Sequence, residues 1–197
     1  MYTKVSLIST LAASLLATAA PAPRSTDSNI FEAVSLHSGS PIQASSINAN
    51  GNHFYVGKPT SAYCPSGIQG LDCSNYSNQT AFAYSPSTSG LALSVGVPGG
   101  QLVYVEPNGA LGFTTPHSNA IPSDSYTSPF QYTAQCSGGT VGKLTFEDKA
   151  FNACLVDGQE DVYQIFANAV AGQSQTDCIG IAIGTAEVSG PIAFEYS

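Results

Sequence analysis

Residues 91–114 read LALSVGVPGGQLVYVEPNGALGFT. Apolar side chains recur there with a period near two, which is typical of β-strands because successive side chains point to opposite faces. Residues 96–100 and 106–109 divide the stretch into three segments. Pro107-Asn108-Gly109 is favourable turn chemistry, since proline presets φ while asparagine and glycine tolerate positive φ. The stretch therefore predicts a meander of three antiparallel strands.

The same pattern continues on both sides of this meander, and no segment beyond residue 20 carries a helical stripe. Short strands with turn signals every eight to twelve residues favour one all-β domain of antiparallel strands, either a sandwich or a closed barrel. A β-trefoil is the alternative, although three equal repeats do not align. The further strands are predicted at residues 31–36, 53–56, 81–84, 130–135, 141–146, 151–156, 162–167, 179–183 and 192–196.

The composition is acidic but sparsely charged. The formal net charge is −8, only 9% of residues are charged, and Lys and Arg together number five. Nucleic acids and anionic membranes are therefore not expected as partners, since both need clustered basic residues. With 43% apolar residues, the chain can form a packed core.

The first 19 residues are interpreted as a signal peptide. Lys4 precedes an apolar stretch too short to span a bilayer, and Ala17-Thr18-Ala19 fits a cleavage site. We expect cleavage after Ala19, a flexible leader over residues 20–29 and a folded domain over residues 30–197. The product is predicted to be secreted and either soluble or held in the cell wall.

Secretion favours disulfides for the five cysteines. Cys64 and Cys73 bracket a turn-rich loop with Gly67 and Gly70, so a local disulfide between them is predicted. The pairing of the other three cysteines stays open on spacing alone. No two cysteines have the C-x2-C spacing of zinc ligands and no histidine adjoins one, so no metal site is expected.

In a secreted protein, two overlapping N-glycosylation motifs are candidate acceptor sites: Asn75-Tyr-Ser77 and Asn78-Gln-Thr80. They lie in a polar loop just after Cys73. We expect at least one of the two asparagines to carry a glycan, because crowding disfavours using both. A glycan there would place the loop at the surface.

No catalytic constellation is apparent, and no cofactor is expected. His37, His53 and His117 each stand alone, and no serine lies in a G-x-S-x-G motif. Two carboxylates could still form a small glycoside hydrolase, and the acidic turns 147–148 and 157–161 could supply them. Charged residues in hairpin turns are usually solvated, and no EF-hand-type calcium loop is present. The expectation is therefore that the protein is not an enzyme.

A glycan-binding module is the main alternative, because aromatic side chains can pack against sugars and the chain has ten Tyr and nine Phe. The absence of Trp weakens this interpretation. Phe130 and Tyr132 alternate on a predicted strand and are expected to pack within the fold. The segment His37-Ser-Gly-Ser40 is likewise expected to be an ordinary turn.

Three stretches resemble the fungal PhiA family of secreted cell wall proteins. They are FEAVSLHSGS at residues 31–40, Leu144-x-Phe146 followed by Asn152-Ala-Cys154, and TDCIGIA at residues 176–182. In their order and spacing they cover roughly residues 30–185. The three stretches in this order, behind a secretory leader, carry the resemblance.

This resemblance implies a non-enzymatic wall protein associated with phialide and conidium development. Its expected partners are cell wall polysaccharide or wall proteins, and its relatives include IgE-binding fungal proteins. The resemblance also implies a second disulfide, because Cys154 and Cys178 occupy the matching cysteine positions. Cys136 has no matching partner and is predicted to be free. No catalytic residues carry over.

Overall fold

The structure, a computed structural model, describes residues 29–135, 141–170 and 175–197. Within these ranges it contains β-strands and one short 3-10 helix, Cys73–Asn75, but no α-helix. The prediction of an all-β fold is therefore confirmed. The strands are β1 (Ile30–Leu36), β2 (Asn48–Asn50), β3 (His53–Val56), β4 (Ala62–Tyr63), β5 (Ala81–Ser85), β6 (Gly90–Leu93), β7 (Leu102–Val105), β8 (Leu111–Phe113), β9 (Phe130–Thr133), β10 (Gly142–Phe146), β11 (Phe151–Leu155), β12 (Tyr163–Ala167), β13 (Cys178–Glu187) and β14 (Glu195–Tyr196).

The predicted meander forms strands β6, β7 and β8, paired antiparallel in chain order. The turn between β7 and β8 uses the Pro-Asn-Gly sequence: Gly109 has a φ of +91°, and its N–H donates to the carbonyl of Glu106 at 2.8 Å. The Asn108 side chain accepts from the N–H of Ala110 at 2.8 Å. Local turn chemistry therefore sets the register of this hairpin.

Twelve strands form one sheet in the order β1-β5-β6-β7-β8-β3-β12-β11-β13-β10-β9, with β2 attached to β3. Because β1 also pairs with β13, the path returns to its start around a single core. The fold is sandwich-like rather than a clean barrel, since β9 and β10 branch from the circuit and β3 meets β8 through the one pair His53–Gly112. The order shows no threefold repeat of the kind that a β-trefoil requires.

Strand β13 joins the two ends of the circuit. One of its edges pairs with β1, from Phe31–Glu187 to Leu36–Ala182. The other edge pairs first with β11 and then with β10. Strand β13 pairs with three other strands, which accounts for its length of ten residues. The local pattern predicted half that length.

The core is built around phenylalanine rings from distant parts of the chain. Phe54 packs against Phe82 and Phe113 at centroid distances of 5.1 and 5.3 Å, and Phe82 stacks on Phe31 at 5.6 Å. All four side chains are fully buried. Burial of such rings is the main favourable contribution to folding here, at about 1.5–3 kcal/mol each.

The C-terminal strand β14 pairs with β4 in a second, two-stranded sheet. Its residue Tyr196 is fully buried and links this sheet to the core: the hydroxyl donates to the carbonyl of Gln79 at 2.8 Å and accepts from the N–H of Ala81 at 3.1 Å. Gln101 adds contacts to both backbone groups of Tyr196, at 2.7 and 2.9 Å. The C-terminus is thus held firmly to the segment that precedes β5.

Disulfides join Cys64 to Cys73 and Cys154 to Cys178, the two pairings expected from the loop and from the family resemblance. Cys136, the predicted signal peptide and residues 20–28 of the predicted leader lie outside the described residues. In the part of the chain that is described, no helix is long and apolar enough to cross a membrane.

Candidate functional site

Four residues lie in register across four neighbouring strands on the outer face of the sheet. Tyr55 of β3 pairs with Gln164 of β12, Gln164 with Cys154 of β11, and Cys154 with Cys178 of β13. We call this set the outer row. Side chains alternate along these strands, so the neighbours Phe54 and Val56 point into the core while the row points outward. At a strand spacing of about 4.8 Å the row is about 14 Å wide.

A depression of about 420 Å³ lies over β11 and β12, the two middle strands of the outer row. Its floor is partly apolar, because Phe166, Cys154 and Ala110 form a small cluster outside the main core, with Cys178 packed against it. Polar groups stand around this floor and can hydrogen-bond a ligand. The lining residues are Cys154, Leu155, Val156, Asp157, Gln164, Phe166, Gln175 and Thr176.

An imidazole–carboxylate pair lies on the outer face at the start of β3. The Nε2 of His53 is 2.9 Å from an Oε1 oxygen of Glu106, with side-chain exposures of 27% and 18%. Glu106 is placed there by the turn after β7. Both groups reach solvent, so a ligand could contact them without rearrangement.

Two tyrosines lie on the same outer face. The ammonium of Lys58 sits 4.0 Å from the ring centroid of Tyr55, a cation–π contact. The ring of Tyr104 lies against Gly112, where an added Cβ would come within 2.9 Å of ring atoms. Burial, and then the charge of Glu106, raises the pKa of both phenols, so their hydroxyls stay protonated at neutral pH.

Tyr55 is only 9% exposed and Tyr104 only 6%. A sugar ring therefore has no free aromatic face to stack on at this site. What the face offers instead is hydrogen-bonding groups on a rigid sheet: an imidazole, a carboxylate, an amide at Gln164 and an ammonium at Lys58. Such groups suit the hydroxyls of a polysaccharide or the polar surface of another protein.

The aromatic candidates named from the sequence pack within the fold. Phe130 is fully buried and lies 5.0 Å from Phe146 between ring centroids. Tyr132 stacks on Phe31 at 4.4 Å. Among residues 29–135, 141–170 and 175–197, the exposed aromatic side chains are Tyr63 and Tyr126, which are not part of the outer row. A continuous aromatic groove is not formed by these side chains.

The acidic turns are exposed hairpin residues, and Asp157 of the second turn borders the depression on the outer face. Glu147, Asp148 and Asp161 have positive φ values of 48°, 58° and 58°, which suit tight turns. Asp157 and Glu160 are also exposed. Among the described residues, no group of three or more His, Cys, Asp or Glu side chains could hold a metal ion.

The segment His37–Ser40 is a turn. The N–H and the hydroxyl of Ser40 both donate to the carbonyl of His37, at 3.1 and 2.9 Å, and Gly39 has a φ of +83°. The imidazole of His37 also contacts the carbonyl of Gly180 on β13. Its groups serve the turn and the strand beside it, as the sequence predicted.

Sequence reasoning missed most of the residues on the outer face. His53 stands alone in the sequence because its partner Glu106 lies 53 positions away, in the turn after β7. Gln164 carried no signal, since its place in the row depends on which strands flank β12. Asn75 and Asn78 are both exposed, and their glycosylation stays a prediction.

Known proteins resemble this chain in sequence. Residues 31–197 match the model of the family described as "PhiA-like secreted protein". A protein of the fungus Arthroderma benhamiae, titled "Uncharacterized secreted protein", is 35% identical over 203 residues, covering 98% of this chain and all of the relative. No solved structure gives a significant match.

Proposed function

The chain belongs to the family of PhiA-like secreted proteins, and from that premise we propose that this secreted fungal protein is a non-enzymatic component of the cell wall. Its role would be in wall structure and in the development of phialides and conidia. Wall polysaccharide or other wall proteins would be its partners. The observation that carries the binding part of the proposal is the outer row, a rigid surface pinned by the Cys154–Cys178 disulfide.

A glycan-binding role is the form of this proposal that the outer face favours. The amide of Gln164, the ammonium of Lys58 and the pair His53–Glu106 can all form hydrogen bonds with sugar hydroxyls. Because the tyrosine rings are buried, we infer recognition by hydrogen bonding rather than by stacking. An extended polymer could lie across several strands, since the row runs perpendicular to them.

A hydrolase is not favoured by the same face. Glycoside hydrolysis uses two carboxyl groups about 5–9 Å apart across the bound sugar. The lining of the depression holds one carboxylate, Asp157, and Glu106 of the pair at the start of β3 is not part of that lining. The proposal therefore assigns no turnover to this protein.

Cell fractionation tests the binding part of the proposal. Fungal cultures are separated into medium, detergent-extractable wall and alkali-resistant wall, and the tagged protein is followed through each. We expect the wild type in a wall fraction and Gln164→Ala shifted several-fold into the medium. Gln159→Ala is the matched control, because that glutamine is exposed in a turn. Equal wall retention of all three proteins would contradict a role for the outer row.

Complementation of a deletion strain tests the part of the proposal that says the protein is not an enzyme. A deletion strain should show defects in wall integrity or spore-bearing cells, and a variant with Glu160 and Asp161, which do not line the depression, changed to their amides should restore the normal phenotype. Exposed turn charges seldom change stability by more than about 0.5 kcal/mol each. Normal secretion with failed complementation would point to an acidic catalytic or calcium site and would overturn the proposal.

A further inference from the structure

A small aromatic pocket lies beside the Cys64–Cys73 disulfide, and none of its lining residues belongs to the outer row. Tyr63 of β4, Tyr76 and Phe194 supply its rings, and Asn78 completes the rim. The pocket has a volume of about 60 Å³. We call it the β4 pocket.

The rings of the β4 pocket are held in place from below. Tyr76 meets Phe194 edge to face at 5.8 Å, and its hydroxyl lies over Gly96, where an added Cβ would approach within 2.4 Å. Tyr63 is 55% exposed, which is high for an aromatic side chain next to a disulfide. The three rings thus present an apolar surface beside the rim that a neighbouring group can pack against.

The sequence at the rim of the β4 pocket indicates what packs against these rings. Asn78-Gln79-Thr80 is an N-glycosylation motif, and Asn78 is exposed where it borders the pocket. The competing acceptor Asn75 lies in the 3-10 helix and is not part of the pocket lining. A volume of about 60 Å³ is far below the several hundred Å³ of an ordinary ligand pocket, but it suits one face of a tethered sugar.

We propose that Asn78, rather than Asn75, carries the N-linked glycan, and that its first N-acetylglucosamine packs on Tyr63 and Phe194 as an intramolecular cover. In the modification the Asn78 amide nitrogen bonds to C1 of the sugar of a lipid diphosphate-linked oligosaccharide. The amide loses one proton and the lipid diphosphate leaves. The C–H face and the acetamido methyl group of the sugar then bury apolar surface against the rings.

The burial of Thr80 sets the timing of this modification. Its hydroxyl accepts from the N–H of Ala49 at 2.8 Å and shares a 2.8 Å hydrogen bond with Thr60, and the residue is only 4% exposed. The threonine of the motif must be accessible when the sugar is transferred. The glycan is therefore attached before Thr80 docks against β2, while the chain is entering the secretory route.

The first experiment assigns the site. The wild type, Asn75→Gln and Asn78→Gln are secreted from a fungal or yeast host and their intact masses are measured before and after enzymatic deglycosylation. We expect the wild type and Asn75→Gln to carry one glycan and Asn78→Gln to carry none. A glycan that is lost in Asn75→Gln but kept in Asn78→Gln, or a wild type without any glycan, would overturn the proposal.

The second experiment tests the packing. The secreted protein is trimmed enzymatically to a single N-acetylglucosamine, and its Tm is compared with that of unglycosylated Asn78→Asp, which reproduces the product of complete glycan removal. We expect the single sugar to raise Tm by about 3 °C. The gain should shrink by more than half in a Tyr63→Ala background and stay unchanged in Tyr126→Ala, another exposed tyrosine. An equal Tm with and without the sugar, or an equal gain in both backgrounds, would refute the packing.

Discussion

Tyr196 offers a sharp test of how the C-terminus is fixed. Replacing it with phenylalanine keeps the ring but removes the hydroxyl that donates to Gln79 and accepts from Ala81. The carbonyl of Gln79 and the N–H of Ala81 then both lose this partner, and the Ala81 group lies in a fully buried place. We expect Tyr196→Phe to lower the free energy of unfolding at pH 7 by about 1–3 kcal/mol. For a domain of this size that corresponds to a fall in Tm of about 2–4 °C per kcal/mol.

The same hydroxyl predicts a specific dependence on alkaline pH. Burial, helped by the charge of Glu32 and opposed by the Ala81 hydrogen bond, raises the pKa of Tyr196 to about 12 from its ordinary value of 10.0. The folded state therefore holds the proton more tightly than the unfolded state. The corresponding stability is fully present below pH 10 and is lost as the pH rises to 12. A shift of this size corresponds to about 3 kcal/mol.

Urea unfolding followed by circular dichroism at pH 7 and at steps between pH 9 and 12 measures both effects. The difference in free energy of unfolding between the wild type and Tyr196→Phe (the stability gap) should be constant up to pH 10 and should become smaller towards pH 12. Tyr126→Phe is the control, because Tyr126 is 43% exposed and should show no comparable gap. A gap that stays constant from pH 10 to 12, or no gap at pH 7, would refute the assignment of a buried, doubly hydrogen-bonded hydroxyl.

Three further changes test the fold around the sites. Replacing Cys154 and Cys178 together with alanine opens a loop of 24 residues and should cost about 3 kcal/mol in non-reducing urea unfolding; an unchanged midpoint would contradict this. Gly112→Ala should cost about 1–3 kcal/mol because its Cβ meets the Tyr104 ring, and a Tyr104→Ala background should relieve most of that loss in a double-mutant cycle. Phe54→Ala should lower stability by about 3–5 kcal/mol by thermal unfolding, and a loss below 1 kcal/mol would place Phe54 outside the core.

The amino-acid sequence by itself predicted most of the strands and the contacts that are local in the chain. Alternation of apolar side chains located β6 to β8 and most other strands within one or two residues, because the period of two follows from the strand itself. The turn at 106–109 and the Cys64–Cys73 disulfide were also predictable, since each closes over a few residues. The strands it missed, β2 and β4, are two or three residues long and exist because a neighbour pairs with them.

Only the tertiary structure decided which strand edges meet. The pairing of β1 with β13 joins residues about 150 positions apart, and no local pattern encodes that choice. The outer row depends on β12 lying between β3 and β11, which is what gives Gln164 its place. The contact between His53 and Glu106 and the position of Asn78 beside Phe194 arise in the same way. Strand propensity is a property of a few consecutive residues, whereas the sites of this protein are built from strands that become neighbours only when the whole core is packed.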